Sequence, residues 1–204
     1  MIKKNKIKLG ITSLLISVLS LSTVAQNTTN QKTKMSKKTT YIRQLTDVTG
    51  KTTAFTEIII NASPEVVRAK FLEFKQWGEW NTVIPKISVK KGSLNDLTTK
   101  PTLDLMINFG RKNDPDPAPA NPRVYENSPE VFYWGFNWGI LKAEHVHIFE
   151  SFDGGKRTRF VHYEKMSGLM KGLVMKPEMR ENMVAKYNTM NTAFKKYCEV
   201  SERN

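Results

Sequence analysis

The stretch that decides the fold is Ala143 to Met166, AEHVHIFESFDGGKRTRFVHYEKM. Two runs of alternating polar and apolar residues flank Asp153-Gly154-Gly155-Lys156. A Gly-Gly pair accepts the positive φ angles of a two-residue turn, so the stretch reads as a β-hairpin with Asp153 facing Lys156. The pairing that follows is self-consistent. On one face Glu150 meets Arg159, Ile148 meets Val161, Val146 meets Tyr163 and Glu144 meets Lys165, charge against opposite charge and apolar against apolar. A slip of one residue would destroy that match. On the other face Phe149 meets Phe160, His147 meets His162 and His145 meets Glu164. All three histidines of the chain therefore share one side of one hairpin.

Length and composition bound the rest. At 204 residues the chain accommodates one domain of ordinary size plus an N-terminal extension. Hydrophobic content of 39% with 25% charged residues excludes fibrous and wholly disordered classes. The net charge is +13, but Lys3, Lys4, Lys6 and Lys8 sit at the N-terminus, and the other cations are spread along the chain without an arginine-rich run. That distribution argues for solubility and against a nucleic-acid partner.

Residues 1–25 have the layout of a secretory signal peptide: a lysine-rich start, an apolar run from Leu9 to Leu21, and small residues at Thr23 and Ala25. Cleavage before Gln26 would release the mature chain to the periplasm or the exterior. The apolar run is short and interrupted by serines, which disfavours a permanent membrane helix, and no cysteine follows it to carry a lipid anchor. The single cysteine, Cys198, has no partner for an internal disulfide. Residues 26–50, rich in Asn, Thr and Lys, read as a polar linker in which Tyr41–Leu45 could add an edge strand. Residues 51–200 form the domain.

Within the domain, Thr53–Ala62 is β-branched and apolar, a strand. Ser63-Pro64-Glu65 opens a helix, with Ser63 as N-cap and Pro64 in the first turn, running to about Phe74. Gln76–Pro85 makes a second, tight helical turn anchored by Trp77 and Trp80. Ile87–Val89, Thr102–Phe109, Val124–Glu126 and Val131–Phe136 read as strands, and the proline-rich Arg111–Pro122 as a loop barred from any central strand. After the hairpin, Pro177–Tyr197 is a long helix with Met179, Met183, Tyr187, Met190, Phe194 and Tyr197 at spacings of three and four, one apolar stripe turned indoors. The order predicts an α+β architecture: a curved antiparallel sheet of about seven strands wrapped round the long C-terminal helix, with two short helices after the first strand.

Three strings carry a family resemblance: INASPEVV at Ile60–Val67, WGEWNTVIPKI at Trp77–Ile87, and EHVHIFESFDGGKRTRFVHYEKMSGLM at Glu144–Met170. With the element order, they resemble the START-like, helix-grip superfamily (SRPBCC), in particular its polyketide cyclase/dehydrase and lipid-transport branch. The chain departs from the usual pattern at His147, where an aromatic is commoner, at Thr82, where proline often follows Trp-Asn, and at Met166, where phenylalanine is usual. The resemblance implies an apolar cavity between sheet and long helix, holding a lipid-, sterol- or polyketide-like molecule, and no cofactor. Only some members are enzymes, so the fold leaves the activity open.

The histidine face carries the chemistry. Three imidazoles and a carboxylate on adjacent strands are ordinary ligands for zinc or iron. Glu164 opposite His145 already supplies a partner, however, and the favoured reading is a metal-free polar cluster that orients a ligand. His147 and Glu164 are the candidate acid/base pair if the site is catalytic. The ligand lining is expected from Trp134, Phe136, His145, His147, Phe149, Phe160, His162, Glu164, Met179, Met183, Tyr187 and Met190. Trp77 and Trp80 read as packing anchors, and Gly168–Val174 as an apolar gate. Nucleophilic serine, dinucleotide-binding and P-loop motifs are missing from the sequence. Two functions stay open: a binding protein for a small hydrophobic molecule, and a cyclase/dehydratase-type enzyme using the same cluster. A ligand-free interaction module is a third. Membrane contact stays open without a feature that indicates it, and the oligomeric state stays undetermined.

Overall fold

A computed structural model describes residues 53–108 and 117–200. The signal peptide and linker expected over residues 1–50 lie outside them, as does residues 109–116 of the proline-rich stretch. The described chain runs β1 (Thr53–Ile60), α1 (Pro64–Leu72), a 3-10 turn (Phe74–Gln76), α2 (Trp77–Trp80), β2 (Lys86–Lys91), β3 (Thr102–Ile107), β4 (Ala118–Ala120), β5 (Arg123–Asn127), β6 (Val131–Asn137), β7 (Lys142–Phe152), β8 (Arg157–Ser167), α3 (Lys171–Val174) and α4 (Pro177–Val200). The eight strands make one antiparallel sheet in the order β1-β8-β7-β6-β5-β3-β2, with β4 added on β3. This is the helix-grip arrangement that the element order predicts, with one strand more than the sequence suggests.

That extra strand lies inside the expected loop. Ala118–Ala120 pairs with Leu105–Ile107, placing Pro119 opposite Met106. Three residues beside the main path are short enough to accommodate a proline, which the centre of the sheet would not. The hairpin register holds along its whole length: Glu150 pairs with Arg159, His147 with His162 and Glu144 with Lys165. Gly154 and Gly155 have φ of 66° and 90°, and the Lys156 N–H donates to the Asp153 carbonyl, closing the expected turn. Asp153 also adopts a positive φ, so the chain bends one residue earlier than the glycines alone require.

Elsewhere local chemistry sets the boundaries. The Ser63 hydroxyl accepts from the Val66 N–H and caps α1, with Pro64 in the first turn. The Asn81 carboxamide oxygen accepts from the N–H groups of Val83 and Ile84 and shapes the turn after α2. The hairpin's second face is less exposed than its charges suggest. Arg159 bridges Glu57 and Glu150 there, but Val146, Ile148, Val161 and Tyr163 are buried.

The core sits between the inner face of the sheet, α1, α2 and α4. Phe71 is its centre: its ring lies 4.7 to 6.0 Å from those of Trp77, Phe132, His147, Phe149, Phe160 and Phe194, mostly edge-on or tilted. Trp77, the expected anchor, donates its indole N–H to the Phe71 carbonyl at 2.8 Å. Phe149 and Phe160 are thus packing elements of this aromatic block. Phe71→Ala is expected to cost about 3–5 kcal/mol in urea unfolding, and Phe71→Leu clearly less. A loss below about 1 kcal/mol for the alanine variant would show that the block is not the centre of the core.

Candidate functional site

The inner face of the sheet changes character along β7 and β8. Towards the turn it is aromatic, with Phe149 and Phe160. Two and four residues away it becomes polar, where His147 pairs with His162 and His145 with Glu164. Side chains alternate along a strand, so a register set by Phe149–Phe160 carries these four groups inward with it. All are buried: His147 is 1% exposed, His162 2% and Glu164 3%.

The rings stack. Trp134 of β6 lies parallel to His145 at 4.0 Å, His147 stacks on His162 at 4.3 Å, and Tyr187 of α4 covers the other side of His162 at 4.1 Å. Tyr187 donates its hydroxyl to Glu164 Oε2, and His145 Nε2 stands 3.5 Å from Glu164 Oε1. His147 Nδ1 lies 3.4 Å from the Phe132 carbonyl, which suits a proton on that nitrogen. Stacked imidazoles present faces to one another and do not aim lone pairs at a common point. Among the described residues no group of three or more ligating side chains is placed to hold a metal ion.

Burial dominates the electrostatics. It drives the pKa values of His145 and His147 well below the ordinary histidine value, with the neighbouring His162 adding to the effect. It takes His162 down to about 3, against the opposing pull of Asn191. The same desolvation pushes Glu164 up to about 7, although the Tyr187 hydroxyl favours its ionised form. Tyr187 is held well above its usual range, by burial first and by Glu164 next. Near neutral pH the cluster thus holds three uncharged imidazoles and one carboxyl at its midpoint.

Two members were not legible as site residues. Asn191, one helical turn after Tyr187, donates its amide to the Thr56 hydroxyl at 2.9 Å, and Thr56 donates to the His162 carbonyl at 3.1 Å. The available signal was a polar residue inside the apolar stripe of α4, at the i+4 position from Tyr187. Both are buried. Asn191 is near enough to His162 to oppose its desolvation, but neither His162 Nδ1 nor Nε2 makes a well-formed hydrogen bond among the described residues. The same holds for Asn191 Oδ1, Trp134 Nε1 and, away from the cluster, Trp80 Nε1, Asn81 Nδ2 and Arg157 Nε.

The expected lining is therefore only partly assembled. Trp134, His145, His147, His162, Glu164 and Tyr187 come together, and Met190 is buried in the core beside them. Phe136 is half-buried, 6.2 Å from Trp134 and 6.4 Å from His145. Met183 is half-buried and Met179 is 42% exposed, so the methionine stripe is not wholly indoors. In α4 the buried residues begin at Tyr187, and periodicity alone does not show where along its length a helix becomes covered. A separate open cleft, lined by Thr82, Val83, Asn108, Lys186 and Thr189, shares no residue with the cluster.

The sequence profile described as "Polyketide cyclase / dehydrase and lipid transport" matches residues 51–199. The chain belongs to that family. Its fold is shared by a START superfamily protein from Mycobacterium smegmatis, at 13% identity and a TM-score of 0.57, covering 72% of this chain and 97% of that one. The protein TTHA0849 from Thermus thermophilus is similar at 12% identity and a TM-score of 0.55, covering 73% and 98%. The aromatase/cyclase Zhui from Streptomyces sp. R1128 is similar at 12% identity and a TM-score of 0.53, covering 72% and 93%. No curated protein matches. Family and fold together make this chain a helix-grip member of the polyketide cyclase/dehydrase and lipid transport family.

The raised pKa of Glu164 has a consequence for stability. A folded-state value of about 7 against an ordinary value of 4.5 means that the folded chain holds the proton more tightly than the unfolded one. Glu164 therefore stabilises the fold fully below pH 4.5, and that contribution is lost as pH rises towards 7. The buried histidines act in the opposite sense, their contribution being present above the ordinary value of 6.5 and lost on acidification. Glu164→Gln leaves only the histidine effect. Its stability relative to the parent is expected to rise by on the order of 3 kcal/mol between pH 5 and pH 8, read from urea midpoints at each pH. A pH-independent difference would show that Glu164 titrates normally.

Proposed function

We propose that this chain binds a small, uncharged hydrophobic molecule, lipid-, sterol- or polyketide-like, at the polar end of the interior between the sheet and α4. The observation that supports this reading is the set of buried polar atoms without partners, above all both ring nitrogens of His162. Each such group costs about 1–3 kcal/mol, a penalty that a hydroxyl or carbonyl brought in by a ligand would offset. A neutral imidazole offers one donor and one acceptor, which suits a hydroxyl. Tyr187 and His147 lie 4.1 and 4.3 Å from the His162 ring, and Trp134 stacks on His145 in the same cluster, broad surfaces against which a ring or chain would be desolvated. The aromatic block round Phe71 closes the far end, and the polar end is where a ligand gains most.

Native mass spectrometry of the chain purified from its host is expected to show an added mass in the range of a lipid or polyketide. His162→Phe keeps a flat ring and removes both nitrogens, and is expected to lower affinity for that ligand roughly tenfold. A ligand-free mass, together with no binding of the neutral apolar probe N-phenyl-1-naphthylamine, would overturn the reading.

The second reading is a cyclase/dehydratase-type enzyme, favoured by one observation: a buried carboxyl with a pKa of about 7 beside a tyrosine hydroxyl and an imidazole. The pair His147→Phe and Glu164→Gln separates the two. A carrier keeps most of its probe affinity in both variants, whereas an enzyme keeps affinity and loses turnover of a polyketide-like substrate by about a hundredfold or more.

We also propose export, with a mature N-terminus at Gln26. It rests on the lysine-rich start, the apolar run and the small residues before that position. N-terminal sequencing of the protein from its host is expected to begin at Gln26, and an intact Met1 would overturn it.

A further inference from the structure

Beyond the interior, the structure carries an exposed apolar rim. Trp138 and Ile140, in the turn between β6 and β7, are each 58% exposed, Leu169 after β8 is 91% exposed and Leu173 in α3 is 62% exposed. The two segments are tied together: the Met170 N–H donates to the Ile140 carbonyl at 3.2 Å. Gly168, at φ +96°, lets the backbones approach so closely that a Cβ there would lie 2.4 Å from the Ile140 oxygen. Large apolar side chains held in water by a fixed contact mark an interaction surface.

The charge around the rim selects the partner. Lys142, Lys171 and Lys176 border the rim, where residues 137–142 and 166–177 contain no acidic residue, while Lys165 is paired across the strands with Glu144. Lysines interspersed with leucine, isoleucine and tryptophan complement a surface that is anionic at the headgroups and apolar just beneath. Trp138 suits that boundary, since its ring has an apolar body and a polar N–H. No helix among the described residues is long and apolar enough to cross a membrane.

The rim also connects inward. Trp138 stacks on Phe136 at 4.9 Å and 6°, and Phe136 contacts Trp134 and His145. We infer that the rim formed by Trp138, Ile140, Leu169 and Leu173 docks onto an anionic phospholipid bilayer, with the ring series Trp138–Phe136–Trp134 leading from the lipid surface to the polar cluster. The docking stands whether or not the interior holds a ligand.

The four tryptophans make a direct test. Trp77, Trp80 and Trp134 are buried, only Trp138 is exposed, and residues 1–76 contain no tryptophan to report on any other membrane contact. The full chain is mixed with vesicles of phosphatidylcholine and brominated phosphatidylglycerol in equal parts, and quenching of tryptophan emission is recorded. Quenching is expected, falling roughly fivefold or more in Trp138→Phe, in the double variant Leu169→Asp/Leu173→Asp, and on vesicles of brominated phosphatidylcholine alone. Both aspartates replace exposed side chains, so circular dichroism and the melting temperature should stay at parent values. Absent quenching, quenching that persists in either variant, or equal quenching on both vesicle types would overturn the proposal. So would sedimentation velocity in which the double variant converts a dimer to a monomer, which would assign the rim to a second copy of the chain.

Discussion

The antiparallel register of β7 and β8 is the constraint from which the rest of the interior follows. With Phe149 held against Phe160, strand alternation leaves no choice about where the histidines point: His147, His162, His145 and Glu164 all enter the space under α4. Four ionisable groups in an apolar interior are expensive if charged. The chain meets that difficulty by neutrality more than by pairing. Burial strips the imidazoles of their protons and leaves Glu164 half-ionised near neutral pH, with Tyr187 as its donor. Stacking then uses the flat faces of neutral rings, against Trp134 on one side and Tyr187 on the other.

The interior that results has two halves with different obligations. The half round Phe71 is mostly aromatic, with the His147 ring at its border, and its rings meet largely edge to face. Dispersion contacts reward keeping it closed, although the buried Trp80 indole N–H has no hydrogen-bond partner among the described residues. The half round His162 is held by close ring contacts at 4.0 to 4.3 Å and by hydrogen bonds. Asn191, Thr56 and the His162 carbonyl form one hydrogen-bonded chain from α4 to β1 to β8, yet neither ring nitrogen of His162 makes a well-formed hydrogen bond among the described residues. A protein built only for stability would favour a leucine or phenylalanine at that position, since an apolar side chain of similar size carries no desolvation cost. The polar residues there are better explained by what they contact than by what they stabilise.

How much of this was legible depends on the range of the interaction. The hairpin could be read because its partners lie within a few residues of one turn, and charge matching at Glu150–Arg159 and Glu144–Lys165 leaves one register. The cap at Ser63 and the anchor at Trp77 are local for the same reason. Thr56 and Asn191 were not legible as members of the site, because they reach His162 from opposite ends of the domain. Periodicity identified the face of α4 that carries Met179 and Met183, but coverage depends on what stands opposite, and burial in that helix starts only at Tyr187. Leu169 and Leu173 read as part of a gate, but their exposure is a property of the folded rim. Ala118–Ala120 escaped because the rule against proline in strands concerns central strands, and β4 lies beside the main path.

The uncharged interior and the cationic rim make sense together. A carboxylate ligand would meet three imidazoles that resist protonation and a Glu164 that is itself half-ionised, so little at the cluster would compensate the loss of its hydration. A neutral molecule with a single hydroxyl or carbonyl loses far less on leaving water, and finds in His162 a donor and an acceptor on one ring. Such molecules dissolve poorly in water and well in lipid. A lysine-bordered apolar rim at the outer end of the ring series from Trp138 to Trp134 then occupies the position where a molecule of that kind would be gathered. On the proposed reading, the scarcity of charge in the space beneath α4 and the placement of the rim answer one chemical need, since a molecule that avoids charge also prefers lipid.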